Sequence, residues 1–218
     1  MGVSNRRPTS SAPSRRDQRR ARELELRRAD VLAAAAAEFA EKGFDGAQMS
    51  ALAARAEVAL GTLYSLFESK EQLFEAVILA GADSIEQHLR AELELVLDPR
   101  ERLLRLVDAA FERFRAEPVF FRLYASATQG MPSRIRQAFG AQAQARFDEF
   151  TQWVIGLARD AAAAGVLRGL DPEAFGLALL GALISSTSAI LAGSTQRPAE
   201  EIARDVRALF ARLLGAER

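Results

Sequence analysis

The residues best suited to bind another molecule lie in segment 58–70, which reads VALGTLYSLFESK. Leu63, Leu66 and Phe67 are spaced i, i+3 and i+4, so they share one face of a short helix. The rest of its surface carries a glycine, two hydroxyls and a phenol, which belong to Gly61, Thr62, Ser65 and Tyr64. A small polar face on a rigidly held helix is what the major groove of DNA admits.

This segment needs neighbouring elements to hold it, because a helix of two turns is unstable in isolation. We therefore expect Leu63 and Phe67 to be buried against other helices. The preceding helical segment, Met49 to Ala56, is equally short, and residues 57–59 have the length of the tight turn between two such helices. The pair predicts a helix-turn-helix unit.

At these residues the chain resembles the DNA-binding domain of the tetracycline-repressor (TetR) type of transcriptional regulator. The resemblance rests on the strings EFAEKGFD, LAARAEV and GTLYSLFESKEQLF and covers roughly residues 24–78. The chain departs from the family pattern at the turn, where Glu57 replaces a frequent glycine. It also departs within the second helix of the pair, at Ala59, Leu60 and Leu66.

The resemblance implies that Thr62 and Tyr64 contact DNA, that Gly61 permits close backbone approach, and that Lys70 contacts a phosphate. Lys70 follows Ser69 in a capping box, where the helix dipole disfavours a cation, and a bound phosphate would resolve that conflict. Simple solvation of Lys70 is the alternative. We also predict DNA contacts for Ser65, on the same helix, and for Arg19 and Arg20, the first two residues of the predicted domain.

Charge is distributed unevenly along a chain whose formal net charge is zero. Residues 1–28 hold nine arginines against three acids, a net charge of +6, whereas residues 29–75 hold three bases against eight acids, a net charge of −5. We expect residues 1–18 to form a disordered basic arm. Either it supplies the long-range attraction to DNA that the acidic unit lacks, or it is a solvated tail.

The composition predicts an all-α fold, since alanine is abundant and β-branched and aromatic residues are sparse. A first helix is expected from about Arg19 to Lys42, with Gly43 as its stop, and the pairs Asp98-Pro99 and Asp171-Pro172 each begin another helix. We divide the chain into the arm (1–18), a helix-turn-helix DNA-binding domain of three helices (19–75) and a larger helical domain for ligand binding and dimerisation (76–218).

The sequence offers little for catalysis. The chain has no cysteine and one histidine, His88, so a thiolate metal site, a disulfide or a thiol nucleophile is excluded. A P-loop, a Rossmann glycine pattern and a Glu-x-x-His motif are all missing. We therefore expect no enzymatic activity, no catalytic residue, no metal and no cofactor. A helical enzyme and a helical scaffold that binds no DNA remain the alternatives.

Residues 174–196 contain no charge and are long enough to span a membrane. The alternative is a helix buried on both sides, by its own domain and by a second subunit. We favour the second interpretation because four hydroxyls occur in a row at 185–188. We therefore expect a homodimer through the last two helices, about 172–214, and no membrane association. The N-terminus lacks the apolar core of a signal peptide, which predicts a cytoplasmic protein.

Aromatic residues are concentrated in the middle of the chain. Bulky rings beside alanine-rich helices can leave a cavity that an apolar ligand fills, although core packing explains most of them. The predicted ligand-binding residues are Phe111, Phe114, Phe121, Tyr124, Phe150 and Trp153. By resemblance to the family, the expected function is a repressor that a small apolar or aromatic inducer releases from its double-stranded DNA operator.

Overall fold

The structure is a computed structural model that describes residues 14–215, with the backbone alone for Asp17, Arg20 and Ala21. Within this part of the chain nine α-helices and one short 3₁₀ helix occur and strands are absent, which confirms the predicted all-α fold. The helices are α1 (Arg15–Gly46), α2 (Met49–Arg55), α3 (Leu60–Leu66), α4 (Lys70–Glu94), α5 (Pro99–Ala116), α6 (Pro118–Thr128), α7 (Ile135–Ala163), α8 (Pro172–Leu191) and α9 (Ala199–Leu213), and the 3₁₀ helix is Pro132–Arg134.

Three helices begin at side-chain caps that the sequence indicates. The Ser69 hydroxyl accepts the Gln72 N–H at 3.1 Å at the start of α4. Carboxylates of Asp98 and Asp171 each accept the N–H three residues on, at 2.8 Å, before α5 and α8. Each cap satisfies a backbone donor that the helix itself cannot pair, so these starts follow from local chemistry.

Helix α1 begins four residues earlier than predicted. It starts at Arg15, because Arg, Gln, Ala and Glu are good helix formers and nothing in residues 15–22 interrupts them. Residues 15–18 are therefore helical and not part of a disordered arm, whereas the rest of the predicted arm, 1–13, lies outside the described residues. The predicted stop is correct, since Gly43 leaves the helical conformation with a φ of 71°.

Helix α4 crosses the predicted boundary at residues 75 and 76. It packs beside α7, and three contacts place the two helices parallel and in register. The Phe74 and Phe139 rings are 5.6 Å apart, Glu75 lies against Gly140, and Arg146 pairs with Asp83. Gly140 interrupts α7 with a φ of 89°, and a Cβ there would lie 2.7 Å from the Glu75 carboxylate. The division of the chain into two domains stays a prediction.

The buried side chains form two clusters. One joins α1–α3 to the first turns of α4 and to parts of α6 and α7, and its largest members include Phe39, Leu63, Phe67, Phe74, Leu123 and Phe139. The other lies among the C-terminal helices α5, α7, α8 and α9 and the far end of α4, with Leu89, Phe111, Leu179, Phe175 and Phe210 among its members. The helix-turn-helix unit thus shares its core with part of the C-terminal helices.

Candidate DNA-binding surface and ligand cavity

Helix α3 is held in place by its apolar face, as the sequence predicts. Leu63 is 0% exposed and Phe67 is 1% exposed. The Arg28 guanidinium lies 4.4 Å from the centre of the Phe67 ring and covers its outer side. A seven-residue helix therefore presents a fixed outer surface, because its inner surface is immobilised in a close-packed core.

The outer surface of α3 is small and uncharged. Tyr64 is 48% exposed, Ser65 is exposed, and the Ser65 hydroxyl donates a hydrogen bond to the Thr62 carbonyl at 2.7 Å. Thr62 is half-buried. Gly61 is exposed, and a Cβ added there would meet no atom within 4 Å, so the fold itself does not require glycine at this position. Leu60, 42% exposed, adds an apolar patch at the start of the helix.

Glu57 makes the turn between α2 and α3 in a left-handed conformation, with a φ of 53°. The Val58 N–H donates to the Ala53 carbonyl at 3.0 Å, and the Glu57 N–H donates to the Ala54 carbonyl at 3.1 Å. This is the Schellman pattern that usually places glycine at the left-handed position. The turn keeps its geometry without glycine, at a steric cost of about 1 kcal/mol.

Lys70 has partners within the protein. Its ammonium donates to the carbonyls of Phe44 at 2.7 Å, Ala47 at 3.1 Å and Asp45 at 3.5 Å, and it lies 4.5 Å from the centre of the Phe44 ring. The carbonyl groups at the C-terminal end of α1 thus offer Lys70 a partial negative charge, which offsets the partial positive charge of the first turn of α4. A phosphate is not needed to resolve that conflict, and the predicted phosphate contact stays a prediction.

Arg55, at the end of α2, is neutralised by two acids of α1. Its guanidinium donates to Glu38 at 2.9 Å and to Glu41 at 2.9 and 2.5 Å. These hydrogen bonds lower the pKa of Glu41 and raise that of Arg55. Arg55 therefore contributes to holding α2 on α1, and little of its charge is directed to a ligand outside.

The basic residues of the N-terminal segment lie along the exposed first half of α1. Arg15, Arg16, Arg19, Arg22 and Arg27 are exposed. Arg20 lies in the same helix, and its side chain is not described. Because 1.5 Å of helix rise separates successive residues, these arginines are spread over about 18 Å on a rigid rod. The charge predicted for a flexible arm is thus partly carried by an ordered helix.

A cavity of about 160 Å³ lies between α4, α6, α7 and α8. The side chains around it are almost all apolar. The lining aromatic residues are Phe120, Phe121, Tyr124, Phe139, Phe147 and Phe150, and the lining aliphatic residues include Ile78, Leu79, Ile85, Leu89, Leu180, Leu183 and Ile184. Along α4 the lining runs from Ile78 to Leu89, so the cavity is elongated over about 16 Å at 1.5 Å per residue.

Three of the six predicted ligand-binding residues line this cavity, namely Phe121, Tyr124 and Phe150. The other three lie elsewhere. Phe111 and Phe114 are 1% and 4% exposed and point into packed core, with Phe114 edge-on to Phe121. Trp153 lies at the surface under the Arg90 guanidinium and beside Phe150. These three do not line this cavity, because helical stripes do not indicate which turn faces a void, and their part in ligand binding stays a prediction.

Sequence reasoning missed most of the lining residues. Phe120, Phe139 and Phe147 belong to the same aromatic-rich segment, but the aliphatic wall comes from α4 and α8. The apolar face of α4 was the available signal, since Ile78, Ile85 and Leu89 recur at helical spacing. For α8 no face could be chosen, because its sequence is apolar on all sides.

Polar groups reach the cavity at few points. Arg146 donates to Asp83 at 2.6 Å, to Glu86 at 3.1 Å and to Glu149 at 2.6 Å, and these contacts raise its pKa. The Thr187 hydroxyl donates to its own helix, to the Leu183 carbonyl at 2.8 Å. The buried hydroxyl of Tyr124 makes no hydrogen bond of good geometry among the described residues, and burial, opposed by the nearby Thr128 hydroxyl, raises the pKa of Tyr124 to about 12.

The outer face of α8 and part of α9 is apolar and exposed. Leu177 is 49% exposed on α8, Leu209 is 51% exposed on α9, and Gly181 and Ser185 are also exposed. Pro172–Leu191 has a mean hydropathy of 1.9 and is long and apolar enough to span a membrane, yet only 28% of its most apolar 18-residue stretch is buried within the subunit.

Among the described residues no group of three or more His, Cys, Asp or Glu is placed to hold a metal ion.

Residues 31–77 match the family model described as bacterial regulatory proteins, tetR family. The matched range begins in α1, includes the whole of α2 and α3, and ends in the second turn of α4. It therefore coincides with the helix-turn-helix unit and its core.

Two curated relatives are transcription regulators. The HTH-type transcriptional activator FasR of Mycolicibacterium smegmatis is 34% identical over 97 residues, which are 44% of this chain and 44% of that protein. The HTH-type transcriptional repressor KstR2 of Mycobacterium tuberculosis is 29% identical over 117 residues, 54% of this chain and 58% of that protein. The chain thus spans about half the length of the curated relatives it matches.

The fold as a whole is found in a solved structure. The fatty acid degradation regulator FadR from Bacillus halodurans aligns with a TM-score of 0.73 over 88% of this chain and 96% of that chain, at 20% identity. The similarity in fold therefore extends well beyond the matched N-terminal range and includes the helices around the cavity.

Proposed function

Since the chain belongs to the tetR family of bacterial regulatory proteins, we propose that it is a ligand-responsive, DNA-binding transcriptional regulator of the cytoplasm. Residues 19–75 bind an operator in double-stranded DNA, and residues 76–218 bind a small apolar inducer and form a homodimer. The inducer releases the protein from its operator, so that the regulator acts as a repressor. Of the two relatives named above, one is an activator and the other a repressor.

The observation that carries this proposal is the position of α4. Its first turns place Leu73, Phe74 and Val77 in the core that holds α3, and its next three turns line the cavity. Ile78 belongs to both. A ligand that repacks the cavity wall therefore acts on a helix whose other end fixes the orientation of the recognition helix.

DNA is bound through the outer surface of α3. Its small residues allow the backbone near Gly61 to approach a groove, and Tyr64 and the hydroxyl residues Thr62 and Ser65 supply polar contacts. The acidic balance of residues 29–75 opposes approach to a polyanion, so the exposed arginines at the start of α1, including Arg19, provide the attraction. Arg20, in the same turn, is proposed for the same role from its position in the sequence.

The homodimer forms through the exposed face of α8 and α9. An apolar surface of this kind on a monomeric protein would be an aggregation liability, and a second copy covers it by two-fold symmetry. Gly181 and Ser185 are small and exposed, so that two α8 helices can approach closely. Two recognition helices related by the same axis would read two half-sites, which predicts a palindromic operator.

Fluorescence anisotropy tests the proposed function. The protein is titrated against a labelled fragment of the DNA upstream of its own coding region and against a fragment of equal length from within that coding region. We expect tighter binding to the upstream fragment by at least about 10³-fold at physiological salt, the lower end for specific sites. Equal affinity for the two fragments, or no binding to either, would support a helical scaffold or an enzyme instead.

A further inference from the structure

Tyr124 is the one side chain of the cavity wall whose hydrogen-bonding group is buried without a partner in the part of the chain that the structure describes. Its ring is stacked on two others, Phe120 at 6.4 Å and Phe139 at 6.3 Å between centroids. The Thr128 hydroxyl lies near enough to the phenol to lower its pKa, but it donates to the Tyr124 backbone carbonyl at 2.7 Å and makes no hydrogen bond of good geometry with the phenol. The ring is thus held in one place, and its buried hydroxyl makes no hydrogen bond within the described residues.

A buried hydroxyl without a partner costs about 1–3 kcal/mol, so such groups are normally satisfied by protein or by water. The apolar wall offers a water molecule too few other polar partners to stay beside Tyr124, so its hydroxyl is left unpaired in the free protein. A ligand whose polar group reaches the phenol gains this hydrogen bond, whereas a wholly apolar ligand leaves the phenol unpaired. The cavity should therefore discriminate strongly against a wholly apolar ligand.

The charged residues of the cavity wall limit the ligand further. Arg146 and Glu86 are the ionised residues among those that line it, and Arg146 is already shared by Asp83, Glu86 and Glu149. Arg90 donates to Glu86 as well. Two guanidiniums thus face three carboxylates, and among the described residues of the cavity wall no cation is left unpaired for an anionic ligand. Burying an unpaired carboxylate in this apolar space would be strongly unfavourable.

On these grounds, and resting on the proposed ligand-binding role of the cavity, we infer that the Tyr124 hydroxyl is the specificity-determining contact for an elongated apolar ligand with one neutral hydrogen-bonding group, such as an alcohol or a ketone. The chain of the ligand lies along α4, and its polar group meets Tyr124 between Phe120 and Phe139. An acid of the same length is excluded by the lack of an unpaired cation.

Calorimetric titration of the full-length protein with three ten-carbon probes tests this inference: 1-decanol, the near-isosteric 1-fluorodecane and decanoate at pH 8. The wild type should bind 1-decanol at least about tenfold more tightly than 1-fluorodecane, the factor that one unmade buried hydrogen bond gives. Decanoate should bind more weakly than 1-decanol by a similar factor or more. In Tyr124→Phe the preference for the alcohol over the fluoride should fall below about threefold.

The chain offers a matched control, since its other tyrosine, Tyr64, lies on the exposed face of α3. Tyr64→Phe removes the same atom and should bind all three probes as the wild type does. The inference is overturned if Tyr124→Phe keeps the wild-type preference, if decanoate binds as tightly as 1-decanol, or if the wild type binds none of the probes. If the preference depends on Tyr124 but bound 1-decanol does not alter DNA binding, the inference stands and the proposed inducer response fails.

Discussion

The ring of Phe74 on α4 packs against the ring of Phe139 on α7, with 5.6 Å between their centroids and 50° between their planes. Phe74 also contacts Phe39 at 4.9 Å and Phe44 at 5.1 Å in the helix-turn-helix core. Phe139 lines the cavity and stacks on Tyr124. Four rings and the phenol therefore connect the core of the helix-turn-helix unit to the cavity without a gap.

We predict that Phe139→Leu weakens the coupling between the two sites. A smaller side chain removes the direct contact with Phe74 and should cost about 1–2 kcal/mol of stability, as large-to-small core changes do. The ratio of DNA affinities without and with bound 1-decanol should move toward one. Phe175→Leu is the control, because Phe175 is equally buried against Phe210 at 5.4 Å in the other cluster. If both variants lower this ratio equally, the effect would come from a general loss of stability and not from the contact between Phe139 and Phe74.

Gly61→Ala separates the needs of the fold from those of DNA binding. A Cβ at this position meets nothing within 4 Å, and alanine favours a helix by up to about 1 kcal/mol over glycine. The variant should therefore unfold at the same or higher urea concentration. It should nevertheless bind the upstream DNA more weakly, because the added methyl group would keep the protein backbone at position 61 away from the DNA groove. Gly156→Ala in α7 is matched, since its Cβ also meets nothing within 4 Å, and it should leave DNA affinity unchanged. Unaltered affinity in Gly61→Ala would remove the case for close approach.

Glu57→Gly should stabilise the protein by about 1 kcal/mol, because glycine accepts the left-handed φ of 53° without steric cost. Glu57→Gln removes the charge but keeps the strain, so its free energy of unfolding should stay near that of the wild type. Urea unfolding measures both. If the two variants are equally stable, the backbone of this turn is not strained.

Lys70→Met should destabilise the protein by about 1.5–3 kcal/mol. The methionine keeps an apolar stem over Phe44 but removes the charged donor to the carbonyls of Phe44 and Ala47. The expected loss of stability is that of a hydrogen bond to a charged group. Lys42→Met, at the exposed position of the other lysine, should change stability little. If Lys70→Met is as stable as the wild type but binds DNA weakly, the result would support the phosphate contact that the sequence predicts for Lys70.

Much of the fold could be predicted from the sequence because its signals are local. The caps at Ser69, Asp98 and Asp171 and the stop at Gly43 each act within one turn, and the structure has a helix start at each cap and a break in the helical conformation at Gly43. The burial of Leu63 and Phe67 followed from helical spacing. The start of α1 was placed too late, because a cluster of arginines resembles a disordered tail as much as a helix.

The site could be predicted only in part, because cavities depend on how distant segments pack. Phe111 and Phe150 lie on apolar stripes of their helices, yet Phe111 is in the core and Phe150 lines the cavity. The partners of Lys70 are 23 to 26 residues away in sequence, at the end of another helix, and no local pattern indicates them. Nor does the sequence reveal that Tyr124 lacks a partner, since that depends on every neighbour around its ring.

The most direct test of a ligand-responsive regulator is the dissociation constant for the upstream DNA fragment, measured by anisotropy without and with saturating 1-decanol. A coupling of 1–3 kcal/mol is typical of allosteric proteins, so we predict that bound 1-decanol weakens DNA binding by at least about fivefold. The same ligand should leave DNA affinity unchanged in a variant that cannot bind it. An unaltered dissociation constant, with calorimetry showing the cavity occupied, would contradict the account.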